Sequence, residues 1–322
     1  MKPYYDDGTC VIYHGDCREV LPHVASSSVD AIISDPPYAE IDRDYGRLSE
    51  EEWQALMRVV VNESRRVLKS SGSAVFILQP NSERVGRMRP WLWDFLSWSS
   101  REWNQIQDAW WWNFATPPTV HCHRTNGLMR PSLKACVWLG DSHCYRNQDA
   151  VLVSPAESTD LDKRVTRHDL GYSPSGLSMR HGRALAAYRE RGGVTPFNVA
   201  VMANSDSSAG SGVFGHGAGT PLPLAQWWTS YIAPTGGVVC DPFCGAGTMA
   251  LAARSRGCRF IGIELEEKYC EIAAKRLAQG ALDLFGEPVV GPAVDVTSFG
   301  GADYALGGAD YVIGSIDDTN ED

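Results

Sequence analysis

The sequence predicts an α/β fold organised around a mainly parallel sheet and carrying an inserted region. Three observations predict it. Val29 to Leu78 reads as strand, helix, strand. Gly236 to Glu264 reads the same way, with a glycine-rich turn after the first strand. Residues 141–215, which have poor periodicity, lie between the two units. At 322 residues the chain can bury a full core in one large domain.

Thr9-Cys10-Val11-Ile12-Tyr13 forms a strand that ends in the turn His14-Gly15-Asp16. Val29-Asp30-Ala31-Ile32-Ile33 is a short buried strand that runs into Ser34-Asp35-Pro36-Pro37-Tyr38. Each proline fixes φ at about −65° and removes a backbone donor, so Pro36 and Pro37 make a stiff loop with free carbonyls. The polar loop 39–48 follows, with Arg43 placed to close over whatever the turn binds. Ser49 and Glu52 form a capping box. Trp53, Leu56, Val60 and Val67 then recur at helical spacing. This helix is expected to run through Leu68 and to be stopped by Gly72, ahead of the buried strand Ala74–Leu78. A strand, helix and parallel strand in that order make a right-handed crossover.

Seven tryptophans lie between Trp91 and Trp112, and they are expected in the core or in a dimer contact. Asn113 to Pro131 reads as a long loop holding Arg124 and Arg130, which suit a face turned to an anionic partner or over a bound ligand. Its His121-Cys122-His123, taken with Cys136, His143 and Cys144, does not match common zinc spacings, so no metal is expected. Lys134 to Leu139 is a further apolar strand. Within 141–215, Lys163, Arg164, Arg167, Arg180 and Arg183 supply donors for phosphates and base edges. Ser205 to Gly219 is a flexible connector, and a helix with Trp227 and Trp228 follows. The organisation is therefore 1–140, 141–215, 216–280 and an acidic tail, 281–322, with the short repeat Gly-Gly-Ala-Asp-Tyr.

The net charge of −10 is unevenly distributed. Residues 281–322 hold nine acids and no base, whereas residues 54–191 hold 19 basic against 12 acidic groups, a net of +7. A basic middle segment is what phosphate contacts need. The sequence has no run of 18 or more apolar residues and no signal peptide. Its nine cysteines are odd in number and scattered, as for reduced thiols in a cytoplasmic protein.

Two motifs carry the chemistry. In Asp35-Pro36-Pro37-Tyr38 a carboxylate and a carbonyl can accept from an exocyclic amino group, while the ring of Tyr38 stacks on a planar heterocycle. In Asp241-Pro242-Phe243-Cys244-Gly245-Ala246-Gly247-Thr248 the glycines let backbone approach a ligand closely, and Glu264 ends the next strand about 20 residues on. That acid can accept from two ribose hydroxyls. The spacing is neither GxGxxG nor a P-loop. Asp241 before the turn would repel a pyrophosphate and suits an ammonium, which points to S-adenosylmethionine.

The two motifs together resemble the S-adenosylmethionine-dependent DNA amino-methyltransferases. Their order is similar to the permuted β class, in which the target-recognition region lies between them. The resemblance spans roughly residues 9 to 280 and implies a Rossmann-like methyltransferase sheet with circularly permuted motif order and an inserted target-recognition region. It also implies a bacterial or phage-encoded protein acting on double-stranded DNA, with a homodimer and a cognate restriction endonuclease as partners. It assigns Asp16 to the cofactor's adenine amino group. It aligns His216 to Thr220 with a segment, His-x-x-x-Lys-Pro, that binds the cofactor's methionine end, although Thr220 stands where lysine is usual. Asp-Pro-Pro-Tyr is typical of adenine N6 enzymes, and cytosine N4 enzymes more often carry serine in place of the aspartate. Cytosine N4 methylation and a catalytically silent DNA-binding subunit are the competing readings.

Overall fold

The computed structural model describes residues 1–43, 46–116, 122–153, 191–193, 195–203 and 220–283. Among the described residues ten strands form one sheet, nine of them in the order β1 (Tyr5–Asp6), β2 (Cys10–His14), β12 (Arg259–Glu264), β11 (Val238–Asp241), β3 (Val29–Ser34), β4 (Leu68–Leu78), β9 (Leu133–Gly140), β8 (Trp110–Trp112), β10 (Val199–Val201). The central strands are β2, β3, β4, β11 and β12, and they run parallel. β1 closes one edge antiparallel to β2. At the other side β9 pairs antiparallel with β4, β8 and β7 (Gln105–Gln107), and β10 pairs with β8. A hairpin of β5 (Ser82–Arg84) and β6 (Arg87–Met88) stands apart.

Side chains alternate across the sheet, and each face builds its own core. Ala31, Ile33, Val75, Ile77 and Val239 meet α4 (Leu222–Ile232), α5 (Thr248–Ser255) and α6 (Glu267–Asp283). Ile32, Ala74, Phe76 and Cys240 meet α1 (Cys17–Val20), α2 (Glu50–Val67) and α3 (Trp91–Glu102). From β3 the chain crosses through α2 to its neighbour β4, and from β11 through α5 to β12, on the opposite face and in the opposite direction. Strand order therefore reverses between β3 and β11, and a crevice opens at such a switch point, beyond the carboxyl ends of the strands.

α2 begins with the expected capping box: Ser49 and Glu52 exchange side-chain and backbone hydrogen bonds. Its end differs from the expectation. The helix stops at Val67, and Leu68 turns directly into an eleven-residue strand that includes Gly72. Gly72 is there for close packing, since a Cβ would lie 2.9 Å from the Asp30 carbonyl oxygen. Two described pieces of 141–215 join the main body. β10 extends the sheet, and the turn at Gln148–Val151 is tied to α4 by Asn147 N–H donating to the Tyr231 carbonyl at 2.8 Å. Trp91, Trp103 and Trp111 are buried, whereas Trp93 is 50% exposed. The tail after Asp283 lies outside the described residues.

Candidate active site

A cavity of about 320 Å³ fills the crevice at the switch point. One group of its lining residues comes from β2, β11 and β12 and the turns that follow them: Asp16, Pro242, Phe243, Gly245 and Glu264. A second group comes from the end of β3 and its surroundings: Asp35, Pro36, Pro37, Tyr38 and Lys134, with Arg43 and Leu48 from the following loop.

The glycine turn is built almost entirely from its own neighbourhood. β11 ends at Asp241, the chain turns through Gly245 at φ +50°, and Gly247 caps α5 at φ +79°. Glu264, at the end of the adjacent strand, accepts from Gly245 N–H at 2.7 Å and from Glu266 N–H at 2.8 Å, one on each carboxylate oxygen. Burial raises its pKa, and the Glu266 and Gly245 amides pull it back. Glu264 lines the cavity, and a carboxylate has about four acceptor sites, so it keeps accepting capacity beyond these amides. Gly247 and Thr248 do not line the cavity. A Cβ at Gly247 would lie 2.9 Å from the Ala273 Cβ of α6. Buried Arg276 donates to the Ala246 carbonyl at 2.5 Å and to the Thr248 hydroxyl at 3.3 Å, so these residues pin the turn to α6.

Asp241 is only 2% exposed and stands behind the lining. Its Oδ1 accepts from the Ser34 hydroxyl at 2.5 Å and from Phe243 N–H at 3.0 Å. Its first role is thus to brace β11 against β3, the two strands of the switch point. Burial pushes its pKa up to about 7, against the opposing pull of those two donors. Asp16 caps α1 and takes the Arg18 backbone and guanidinium together. The hydrogen bonds from Arg18 hold its carboxyl below the ordinary range.

The proline turn is assembled from distant parts. The Trp53 indole donates to the Pro37 carbonyl at 2.5 Å, and the Asn81 side-chain amide donates to the Ala39 carbonyl at 2.6 Å. Tyr38 stacks against Trp91 with ring centroids 6.3 Å apart, and Trp91 packs edge-on to Trp53 at 4.5 Å. This aromatic floor fixes the ring of Tyr38. Tyr38 donates its hydroxyl to Asp35 Oδ1 at 2.7 Å, and Thr220 donates to Asp35 Oδ2 at the same distance. Lys134 donates to the Tyr38 hydroxyl at 3.1 Å and lies 3.9 Å from Asp35 Oδ2.

Thr220 therefore reaches the aspartate of the proline turn and does not line the cavity. Lys134, read from sequence only as the start of an apolar strand, is the cation at this place. The signal that could have found it is a lysine opening an otherwise buried run. Arg43 lies at the cavity, whereas Arg124 and Arg130 are exposed and away from it. Lys163, Arg164, Arg167, Arg180, Arg183 and His216 lie outside the described residues. Among the described residues, no group of three or more His, Cys, Asp or Glu could hold a metal ion, and no helix is long and apolar enough to cross a membrane.

The chain is 25% identical over 293 residues to the type II methyltransferase M.ScaI of Streptomyces caespitosus, covering 88% of this chain and 86% of that protein. Its fold is similar to the PvuII DNA methyltransferase, described as cytosine-N4-specific, with a TM-score of 0.65, 18% identity and coverage of 85% of this chain and 88% of the other. It is also similar to a DNA modification methylase of Thermus thermophilus in complex with S-adenosyl-L-methionine, with a TM-score of 0.53, 20% identity and coverage of 86% and 96%. The DNA methylase family model for N6 and N4 enzymes matches residues 29–275, so the chain belongs to the N6/N4 DNA methylases.

Proposed function

We propose that the protein transfers a methyl group from S-adenosylmethionine to the N6 amino group of a specific adenine in double-stranded DNA. The observation that carries this reading is Asp35: a carboxylate opens the proline turn and shares one cavity with the glycine turn. A duplex hides the adenine amino group, so the base must be flipped into that cavity. Asp35 and the Pro36 carbonyl then accept its two N–H groups, because the Pro37 carbonyl is already taken by Trp53. Tyr38, held by its aromatic floor, provides the stacking face. Taking both amino protons into hydrogen bonds leaves the nitrogen lone pair less delocalised into the ring. The proton lost from nitrogen passes to Asp35 or to water.

The glycine turn fits the cofactor. Glu264 has lone pairs for two ribose hydroxyls, Phe243 offers an apolar face to the adenosine, and Gly245 lets backbone approach closely. Asp16 serves the adenine amino group, and Asp241 supplies negative charge behind the methionine end. When bound, the cofactor supplies an activated methyl, whose bond to sulfur breaks with the electron pair left on sulfur. The residues named here mainly align the reacting groups, an orientation effect.

Arg43 at the cavity and Arg124, Arg130, Lys163, Arg164, Arg167, Arg180 and Arg183 on the intervening segment are the proposed DNA contacts, with 141–215 as target-recognition region. The type II relatives support a bacterial restriction-modification role; a cytoplasmic location, a cognate endonuclease and a homodimer belong to the same proposal.

Cytosine N4 methylation is the second reading. The PvuII likeness favours it, and both bases present an amino group beside a ring nitrogen. Asp35 in place of serine favours adenine. The test is incubation with S-adenosylmethionine and unmethylated genomic DNA, followed by nucleoside mass spectrometry. N6-methyladenine is expected. N4-methylcytosine would transfer the same site to the other base, and neither product would remove the proposed activity.

A further inference from the structure

The geometry points to Lys134 as a positioning residue that fixes the proton of Tyr38, and through it the accepting face of Asp35. The inference rests on the reading of Asp35 as acceptor for the substrate amino group. Lys134 comes from β9, the antiparallel neighbour of β4. Its ammonium lies 3.1 Å from the Tyr38 oxygen, 4.8 Å from the Trp111 ring centroid and 5.5 Å from that of Tyr38. The side chain is 14% exposed, so two aromatic faces, the Tyr38 oxygen and the Asp35 carboxylate 3.9 Å away hold it in place with little help from water.

A tyrosine hydroxyl has one proton and can donate it in only one direction. An ammonium has donors and no acceptor. With Lys134 donating to its oxygen, Tyr38 cannot donate back, and its proton is directed to Asp35 Oδ1 at 2.7 Å. Thr220 fills one site on Oδ2 from the opposite end of the chain. Each carboxylate oxygen then has one fixed donor, the plane of the group is set, and its remaining lone pairs face the substrate. Without Lys134 the Tyr38 hydroxyl could rotate toward water or toward the base, and Asp35 would lose one of the two donors that hold it.

The test compares lysine with residues of different hydrogen-bonding character, using single-turnover methyl transfer to unmethylated genomic DNA with enzyme in excess. Lys134→Met removes the donor, and Lys134→Gln offers Tyr38 an acceptor. Both are expected to slow transfer by about tenfold with the S-adenosylmethionine Kd unchanged. Lys134→Arg keeps a donor-only group and is expected to restore most of the rate. In a Tyr38→Phe background the loss from Lys134→Met should shrink, because the hydroxyl it acts through is gone. Retained cofactor binding shows that each variant is folded. A wild-type rate for Lys134→Met overturns the inference. So does an undiminished loss in the Tyr38→Phe background, or a Kd that weakens as much as the rate falls. Asp35→Asn separates the two levels: full turnover there overturns the reading of Asp35 together with this inference. Loss of turnover there, with Lys134→Met unaffected, overturns this inference alone.

Discussion

The two sides of the cavity are built in different ways. On the glycine-turn side, Glu264 reaches Gly245 across 19 residues and Glu266 across two. On the proline-turn side, Asp35 is held by Thr220, 185 residues away, and Tyr38 by Lys134, 96 residues away. The first is a local βαβ device that carries its own partners. The second is a point where the ends of the fold converge. A local device should depend mostly on its own turn geometry. A convergent one should lose function when any distant partner is changed, without losing its shape.

Changing Asp35 should have the largest effect. Asp35→Ala removes the carboxylate that Tyr38 and Thr220 hold and that is proposed to accept from the substrate amino group. Methyl transfer is expected to fall by about a thousandfold or more, with the S-adenosylmethionine Kd kept within a few-fold. Undiminished turnover, or an equal loss of cofactor affinity, would break the separation of the two sides.

Glu264→Gln is the matching change on the other side. Glutamine has one accepting oxygen where two backbone amides each need one, so its NH₂ must face an N–H of Gly245 or Glu266. The cofactor Kd, read by calorimetry, should weaken by about a hundredfold. An unchanged Kd would deny Glu264 its role.

Gly247→Ala tests the frame of that same turn. A Cβ there meets both a left-handed φ of +79° and the Ala273 Cβ at 2.9 Å. The cost should be about 2 kcal/mol in urea unfolding, mostly strain. A loss under 0.5 kcal/mol (about the size of an ordinary surface change) would mean that α6 yields freely.

This contrast also explains what was legible in the sequence. The glycine turn, Glu264 and the capping box of α2 could be read because their partners lie within a few turns of chain. The crossing from β3 to β4 was legible from the period of its apolar residues. The break at Leu68 was not, because Gly72 looks like a helix stop when only propensity is weighed. In the fold it is a strand residue that lets the Asp30 backbone approach closely. Lys134 at Tyr38 and Thr220 at Asp35 were invisible because 96 and 185 residues separate them from their partners. Nothing local distinguishes a lysine opening a buried strand from any other until the sheet order brings it to the turn. Nor could the sequence show that Asp241 Oδ1 accepts from the Ser34 hydroxyl and from Phe243 N–H.

Asp241, which joins the two sides, gives an effect that is read against pH, and its sign is distinctive. Burial raises its pKa from 3.8 to about 7. A carboxyl raised on folding stabilises the fold fully below its unfolded value, and this contribution is lost as pH rises through the folded value. The free protein should therefore lose stability from this group between pH 4 and 7. A cofactor bearing an ammonium and a sulfonium favours the ionised form, so binding near neutrality should release a proton. Cofactor affinity should rise by up to about tenfold per pH unit below about 7 and level off above it. Calorimetry in buffers of different ionisation enthalpy counts the proton, and thermal melts of the free protein over the same range follow the opposing trend. Asp241→Asn should flatten both curves. Affinity that stays level from about pH 5.5 to 8 in the parent protein would leave Asp241 as a brace between β3 and β11 and nothing more. The charge behind the methionine end would then have to come from the proline-turn side of the cavity.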